Sequence, residues 1–311
     1  MIEIFKTINN KLSRLEEFED GAWINVTAPT VEELELIEKK FKIEHSYFTS
    51  AMDTEERSRI EVDEENQTLV IVDVPSIEKK DDSIIYNTIP LSIIMLQTCI
   101  ITVCAEENSV INDFTDNRVK GFFTNYKNRF VLQILYRGSY TFVRYLRHID
   151  KITDRVEKQL YKSMGNDELL DLLALQKSMV YFSTSLKANE LVLEKMLKLE
   201  YLKQYPDDMD LLEDVIIENK QAIEMTNIFR GILSSTMDTV ASIISNNVNN
   251  VMKFLTSVTI LITIPTLITS FYGMNVRLPF SDSPHSYLFV IFISILICAL
   301  PIYFLYKRKM F

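Results

Sequence analysis

The chain has 311 residues, enough for two domains, and its 43 acids against 33 bases leave a net charge of −10. That charge is unevenly placed: residues 1–250 hold 28 bases and 42 acids, a net −14, whereas residues 251–311 hold five bases and Asp282 alone, a net +4. An acidic body joined to a basic, apolar tail argues against nucleic acid as a partner, because phosphate binding needs the opposite sign. It suits attraction of cations, although acidity is also an ordinary route to solubility. Three cysteines (Cys99, Cys104, Cys298) and three histidines (His45, His148, His285) have neither metal-ligand nor redox spacing. A reduced, cytosol-facing protein is expected, and no nucleophile–base set supports an enzyme.

Lys6, Lys11 and Arg14 interrupt any apolar signal core at the start, so the first ~250 residues are expected to stay on the side where they are made. Residues 1–117 read as an α/β cytosolic domain. Strand-like runs fall at Ile2–Thr7, Ala22–Thr27, Arg57–Val62, Thr68–Val74, Ile84–Ile94 and Ile100–Ala105. Helical patterns at Val31–Phe41 and Ile43–Met52 lie between the second and third. Thr30, with Glu33 three residues on, has the spacing of a capping box. The chain has only six glycines and no glycine-rich phosphate loop, which weakens a nucleotide-binding reading.

Residues 118–206 read as a long antiparallel helical hairpin: Phe130–Met164 and Glu168–Tyr205 are amphipathic and meet at Gly165-Asn166. Pro206 breaks the second helix, and Asp207 and Asp208 offer N-caps for a third. A mid-helix glycine such as Gly231 costs about 1 kcal/mol and is tolerated. The third helix is thus expected to run from ~208 to ~272, roughly 100 Å. Residues 207–253 would form a cytosolic stalk and 254–272 a first transmembrane helix. Pro265 is expected to bend that span and leave carbonyls for Ser and Thr hydroxyls to satisfy.

Residues 287–306 contain no charge, and twenty residues at 1.5 Å each cover the roughly 30 Å hydrocarbon layer. They read as a second span, with 273–286 as an outer loop and 307–311 as a basic tail. Lys253 precedes the first span and Lys307, Arg308 and Lys309 follow the second, so both termini are expected in the cytoplasm. Tyr272, Tyr287, Tyr303 and Tyr306 sit near the span ends, where amphipathic rings favour the interface. A bacterial plasma membrane is the expected location.

Along the third helix one line of residues is polar at nine of its ten positions: Asp238, Ser242, Ser245, Asn249, Met252, Thr256, Thr259, Thr263, Thr266 and Ser270. Their alternating steps of four and three repeat the heptad seam by which helices meet in a left-handed supercoil, and such a seam is normally apolar. A polar seam implies that several copies surround water. Neutral oxygens can hydrogen-bond the water shell of a passing cation without trapping it, while Met252 and Leu255 would form an apolar constriction that closes by dewetting. The competing reading is that these hydroxyls bond back to their own helix or glue helices together.

Tyr272-Gly273-Met274-Asn275 follows the first of two terminal spans and is preceded by Val251-Met252-Lys253-Phe254-Leu255-Thr256. This resembles the signature of the CorA family of divalent-cation channels, and the resemblance covers essentially the whole chain. It implies a funnel-shaped homopentamer with an α/β cytosolic domain, helical hairpin, stalk helix and two-span membrane domain. It assigns ion capture and selectivity to Gly273, Met274 and Asn275, and matches Asn249 and Met252 to pore-lining positions. It places Asp238 and Asp214 at acidic stalk positions tied to pore coordination and to a regulatory metal site between subunits. Asp81 or Asp82 of a neighbouring copy is the expected partner of Asp214. Physically, the carbonyls at the end of the stalk helix carry about half a negative charge. Gly273 is expected to permit a left-handed exit from the helix.

The implied cargo is hydrated Mg2+, with Co2+ as a second substrate, and Mg2+ also as the regulatory ion. Softer metals usually recruit His or Cys, which the stripe lacks, so a carrier of cobalt, nickel or zinc is the alternative within the class. A membrane-anchored coiled-coil scaffold without conduction is the alternative outside it. Two departures from the family pattern stand out. Pro265 sits one residue later than usual, and the outer loop has Arg277 beside the motif and no acid but Asp282.

Overall fold

The computed structural model describes residues 1–63, 67–80, 83–163, 166–199, 205–274 and 285–307. It divides into two units, Met1–Ser235 and Thr236–Phe311.

The first unit is built on a seven-stranded sheet of order β2-β1-β3-β7-β6-β5-β4. The strands are β1 (Ile2–Ile8), β2 (Lys11–Leu15), β3 (Trp23–Thr27), β4 (Arg59–Val62), β5 (Thr68–Lys80), β6 (Ser83–Met95) and β7 (Ile100–Cys104). Only β3 and β7 pair in parallel. Side chains alternate across a strand, so the apolar run Leu69–Val72 serves two cores. Leu69 and Ile71 join Ile24, Val26, Ile94 and Ile101 beneath α1 (Val31–Phe41) and α2 (His45–Met52). Val70 and Val72 face the other way, with Trp23, Leu91 and Ile93, against the later helices. Every residue of β7 is buried, as a central strand covered on both faces requires.

Local chemistry sets the element ends. Thr30 and Glu33 form the expected reciprocal capping box, and Lys42 closes α1 in the left-handed region at φ 54°. Strand β2 was not expected from the sequence. Asn9 and Asn10, both at positive φ, make the two-residue turn that folds it back onto β1. The short helix α3 (Ser109–Thr115) was also unforeseen, and Asn108 caps it by accepting from the Ile111 N–H at 2.9 Å.

Two long helices follow, α4 (Lys127–Ser163) and α5 (Asn166–Met196). α5 is stitched to the sheet by polar groups. Asn189 accepts from the Asp73 N–H at 2.9 Å and donates to the Asp73 carbonyl at 2.8 Å, as a neighbouring strand would. Ser185 donates to Thr88 Oγ1 at 2.8 Å. α4 is anchored through Phe130, which stacks edge-on to Trp23 with centroids 5.1 Å apart. The Trp23 indole N–H in turn donates to Thr102 Oγ1 at 2.8 Å, so the largest core side chain has its polar atom satisfied.

Helix α6 spans Pro206–Tyr272. Its start differs from the expectation. Pro206 is the first helical residue, where its missing N–H is no loss. Asp207 and Asp208 lie inside the first turn, where carboxylates favour the positive end of the helix, rather than at the cap. Within the first unit α6 buries Asp208, Leu212, Val215, Asn219, Ala222, Thr226 and Leu233. Their steps of three, four and finally seven residues make one stripe. Leu212 and Val215 join the core beneath Trp23. In the second unit α6 continues to Tyr272, and α7 (Ser286–Lys307) is apolar almost throughout. Among the described residues, α6 carries a window long and apolar enough to cross a membrane, and α7 carries a shorter apolar run, Val290–Tyr303.

Candidate ion pathway

In the second unit the polar line expected on α6 is a surface. Asp238, Ser242, Ser245, Asn249, Met252, Thr256, Thr259, Thr263, Thr266 and Ser270 are all exposed in the single chain. From Thr256 to Ser270 the residues that are buried or half-buried are Ser257, Val258, Leu261, Ile264, Pro265 and Ile268. At 100° per residue this second set points away from the first. Pro265 and Thr269 border a hollow of about 490 Å³ whose other walls come from α7, including Val290, Ser294 and Cys298. The described neighbours in α7 are thus on the proline side, and the polar line is left uncovered.

The hydroxyls on that line bond back to their own helix. Ser242 donates to the Asp238 carbonyl at 2.9 Å, Thr259 to Leu255 at 2.8 Å, Thr263 to Thr259 at 2.7 Å and Thr266 to Ile262 at 2.8 Å. A hydroxyl has one proton and two lone pairs. Donating the proton inward leaves the oxygen as an outward acceptor. Such a surface accepts hydrogen bonds from the waters around a cation, whose protons point away from the metal. Back-bonding and lining a wet path are therefore compatible, although the sequence reading set them in opposition.

Two local expectations are corrected. The hydroxyls flanking Pro265 do not satisfy the carbonyl of Leu261 that the proline ring deprives of a partner. Thr266 serves Ile262, and Thr269 serves Pro265 at 3.0 Å. Gly273 is not in the left-handed region. Its N–H reaches Thr269 O at 2.9 Å, and the Met274 N–H reaches Phe271 O at 3.3 Å, so the helix tightens as it ends. What glycine supplies is room: a Cβ there would stand 3.3 Å from Thr269 O and 3.5 Å from Ser270 O.

Met252 and Leu255, each more than half exposed, give the polar line an apolar interruption. Met274 is exposed beyond the helix end. Asn275, Arg277 and Asp282 lie outside the described residues, as do Asp81, Asp82, Arg308 and Lys309. Lys307 closes α7 and is exposed.

In the first unit Asp214 is exposed on α6, on the side away from the buried stripe. The Tyr136 hydroxyl is pushed up by burial first and then by the charges of Glu218 and Asp214. Among the described residues no three His, Cys, Asp or Glu side chains come together as a metal cage. Asp214 and Glu218, one turn apart on α6, are thus not joined by a third such side chain among the described residues. The exposed face of α6 continues from it through Ile217, Gln221, Glu224 and Ile228, a feature the sequence reading passed over. Tracing the three- and four-residue steps backward from Asp238 would have found it.

Comparison with known proteins bears on the whole chain. The family model described as CorA-like Mg2+ transporter protein matches residues 18–308. The cobalt/magnesium transport protein CorA of Methanocaldococcus jannaschii is 28% identical over 298 residues, covering 92% of this chain and 90% of that protein. The complete structure of the CorA magnesium transporter from the same organism superposes with a TM-score of 0.82 at 26% identity, covering 99% of this chain and 98% of the other. The ZntB cytoplasmic domain from Vibrio parahaemolyticus shares the fold alone, at 10% identity and TM-score 0.60, covering 78% of this chain and 98% of its own. An α/β unit followed by a long helix with an uncovered polar line, matched over nearly its full length, makes this chain a member of the CorA-like Mg2+ transporter family.

Proposed function

We propose that the chain is one subunit of a homo-oligomeric channel that admits hydrated Mg2+, and more weakly Co2+, into a cell. The observation that carries this reading is the uncovered line of acceptors on α6, which faces away from the half-buried proline side. A single helix encloses nothing, so the line gains a purpose when copies gather around an axis. Five is the number that resemblance to the family suggests. The segment 254–272 and the segment 287–306 would cross the membrane as a hairpin, with both termini in the cytoplasm and the basic tail at the inner surface.

The chemistry favours an ion that keeps its water. Magnesium dehydrates reluctantly and holds an octahedral shell. Asn275, with the backbone of Gly273 and Met274, would grip that shell at the outer mouth through neutral oxygens, and a carboxylate ring would release it more slowly. The ion then passes Ser270, Thr266, Thr263, Thr259 and Thr256, whose oxygens accept from its waters, and meets the apolar narrowing at Met252 and Leu255. Asn249 and Asp238 receive it on the cytosolic side. Entry is driven by the membrane potential at about 2.3 kcal/mol per charge per 100 mV. The line offers no His or Cys, and this favours magnesium over softer metals.

Closure would follow from magnesium on the inside. Asp214 is accessible and belongs to no group of three possible ligands among the described residues, so a second copy is the source proposed for the rest of the site. An ion held between copies would tie neighbouring first units together and keep the α6 helices from separating.

The reading is tested by uptake into liposomes carrying the purified chain. Magnesium should enter, cobalt should compete, and nickel and zinc should compete less well. Liposomes that take up none of these ions above the protein-free rate would sink it.

A further inference from the structure

Helix α4 carries a basic hollow that the transport reading does not use. Tyr140, Val143, Arg144, Arg147, His148 and Lys151 surround a space of about 300 Å³ on the first unit. That is the lower end of the range for small-molecule sites. The sequence spacing of 144, 147, 148 and 151 puts these four on one helical face. No carboxylate lines the hollow. Arg144, Arg147 and Lys151 form no ion pair among the described residues, although Asp150 and Asp154 stand nearby on the same helix. Like charges at three- and four-residue spacing repel, and here they are kept together in a chain whose net charge is −10.

Part of the hollow is held in place. The Arg144 guanidinium lies over the Tyr145 ring at 5.3 Å, and the Tyr145 hydroxyl is 3.0 Å from Ser109 Oγ. The Tyr86 hydroxyl meets His148 Nδ1 at 2.6 Å. Burial pushes that hydroxyl up to about 12, so it stays protonated beside the ring. This bond holds the ring and leaves Nε2 as its other polar atom. Arg144 and the His148 ring are thus each held by an aromatic partner, and Arg147 and Lys151 add two further charges on the same face.

We propose that Arg144, Arg147, His148 and Lys151 form a binding site for a phosphate-bearing polyanion. Several N–H donors and positive charges on one face match an anion with several oxygens, and a guanidinium pairs with phosphate in bidentate fashion. The phosphate can belong to a soluble molecule or to a lipid headgroup.

Two binding arms on the full chain in magnesium-free detergent solution test this and distinguish the sources: calorimetry with inorganic tripolyphosphate, and calorimetry with short-chain phosphatidic acid compared against short-chain phosphatidylcholine. The double variant R147Q/K151Q should weaken binding in one arm by about tenfold or more, while Lys158→Gln, outside the hollow, should leave it unchanged. Loss in the first arm identifies a soluble phosphate, and loss in the second alone identifies a headgroup. The proposal is overturned if neither probe binds, if the double variant binds as the parent does, or if Lys158→Gln weakens binding equally. Magnesium uptake by the double variant should match the parent, so failure here leaves the transport reading standing.

Discussion

Asn275→Ala is expected to reduce magnesium uptake by reconstituted protein to the protein-free rate. The substitution removes one carboxamide from every copy at once. At about 0.5–1.5 kcal/mol per hydrogen bond, the five contacts that the proposed pentamer would lose to the ion's water shell amount to about a 70-fold or greater loss of capture. Folding should be untouched, because the position follows the end of α6 and the core under Trp23 lies in the other unit. Asn275→Asp is the informative companion. A ring of carboxylates should bind the ion more tightly and release it more slowly, so uptake falls while inhibition by a poorly permeant cation strengthens. If both variants conduct like the parent, capture does not occur at this residue.

Asp214→Ala should leave the channel conducting at internal magnesium that silences the parent. A carboxylate bonded to an ion or its water contributes about 1.5–3 kcal/mol, so the internal concentration needed for closure should rise by a factor of ten or more. The measurement is uptake into liposomes preloaded with graded magnesium. Glu218→Gln, one turn further along α6 and also close enough to influence Tyr136, serves as the control for a general loss of negative charge. Equal sensitivity in Asp214→Ala and the parent removes this residue from the sensor. Intact folding is expected in either case, since Asp214 is exposed and the buried stripe beside it is unaltered.

Much of the fold was legible because it rests on local chemistry. The capping box of Thr30 and Glu33 fixes the start of α1, and apolar runs mark the buried parts of β5 and β6. Strand β2 escaped because only Leu12 and Leu15 carry its apolar signal, and the Asn9-Asn10 turn was not weighed. Helix α3 escaped because at seven residues it is too short to show a period, and its signature is the single side-chain bond of Asn108. The start of α6 was misplaced by one rule competing with another: proline ends a helix from within, but is also well suited to the first position of a new one.

The candidate site divides in the same way. The polar line on α6 was readable from spacing alone. Back-bonding of its hydroxyls was also foreseen, but as an alternative to a wet path rather than as part of one. Thr259, Thr263 and Thr266 satisfy their own helix and turn only lone pairs outward. The role of Gly273 was misread for a related reason. A glycine after a helix suggests a left-handed residue, whereas here the constraint is the nearness of two carbonyl oxygens. Asp214 shows the limit of one chain: its exposure is visible, but ligands from another copy leave no trace in a sequence or in a single subunit.

The account stands or falls on whether the acceptor line of α6 looks onto shared water. Thiol accessibility in reconstituted protein measures this directly, in a background carrying Cys298→Ala, with Cys99 and Cys104 already buried. A charged, membrane-impermeant thiol reagent should modify Thr259→Cys and Thr263→Cys and block magnesium uptake, while Ile260→Cys and Ile262→Cys, on either side of the line, remain unmodified. Modification of the isoleucine positions with the threonine positions protected would mean that the threonines face lipid or another helix, and the pathway would have to lie elsewhere.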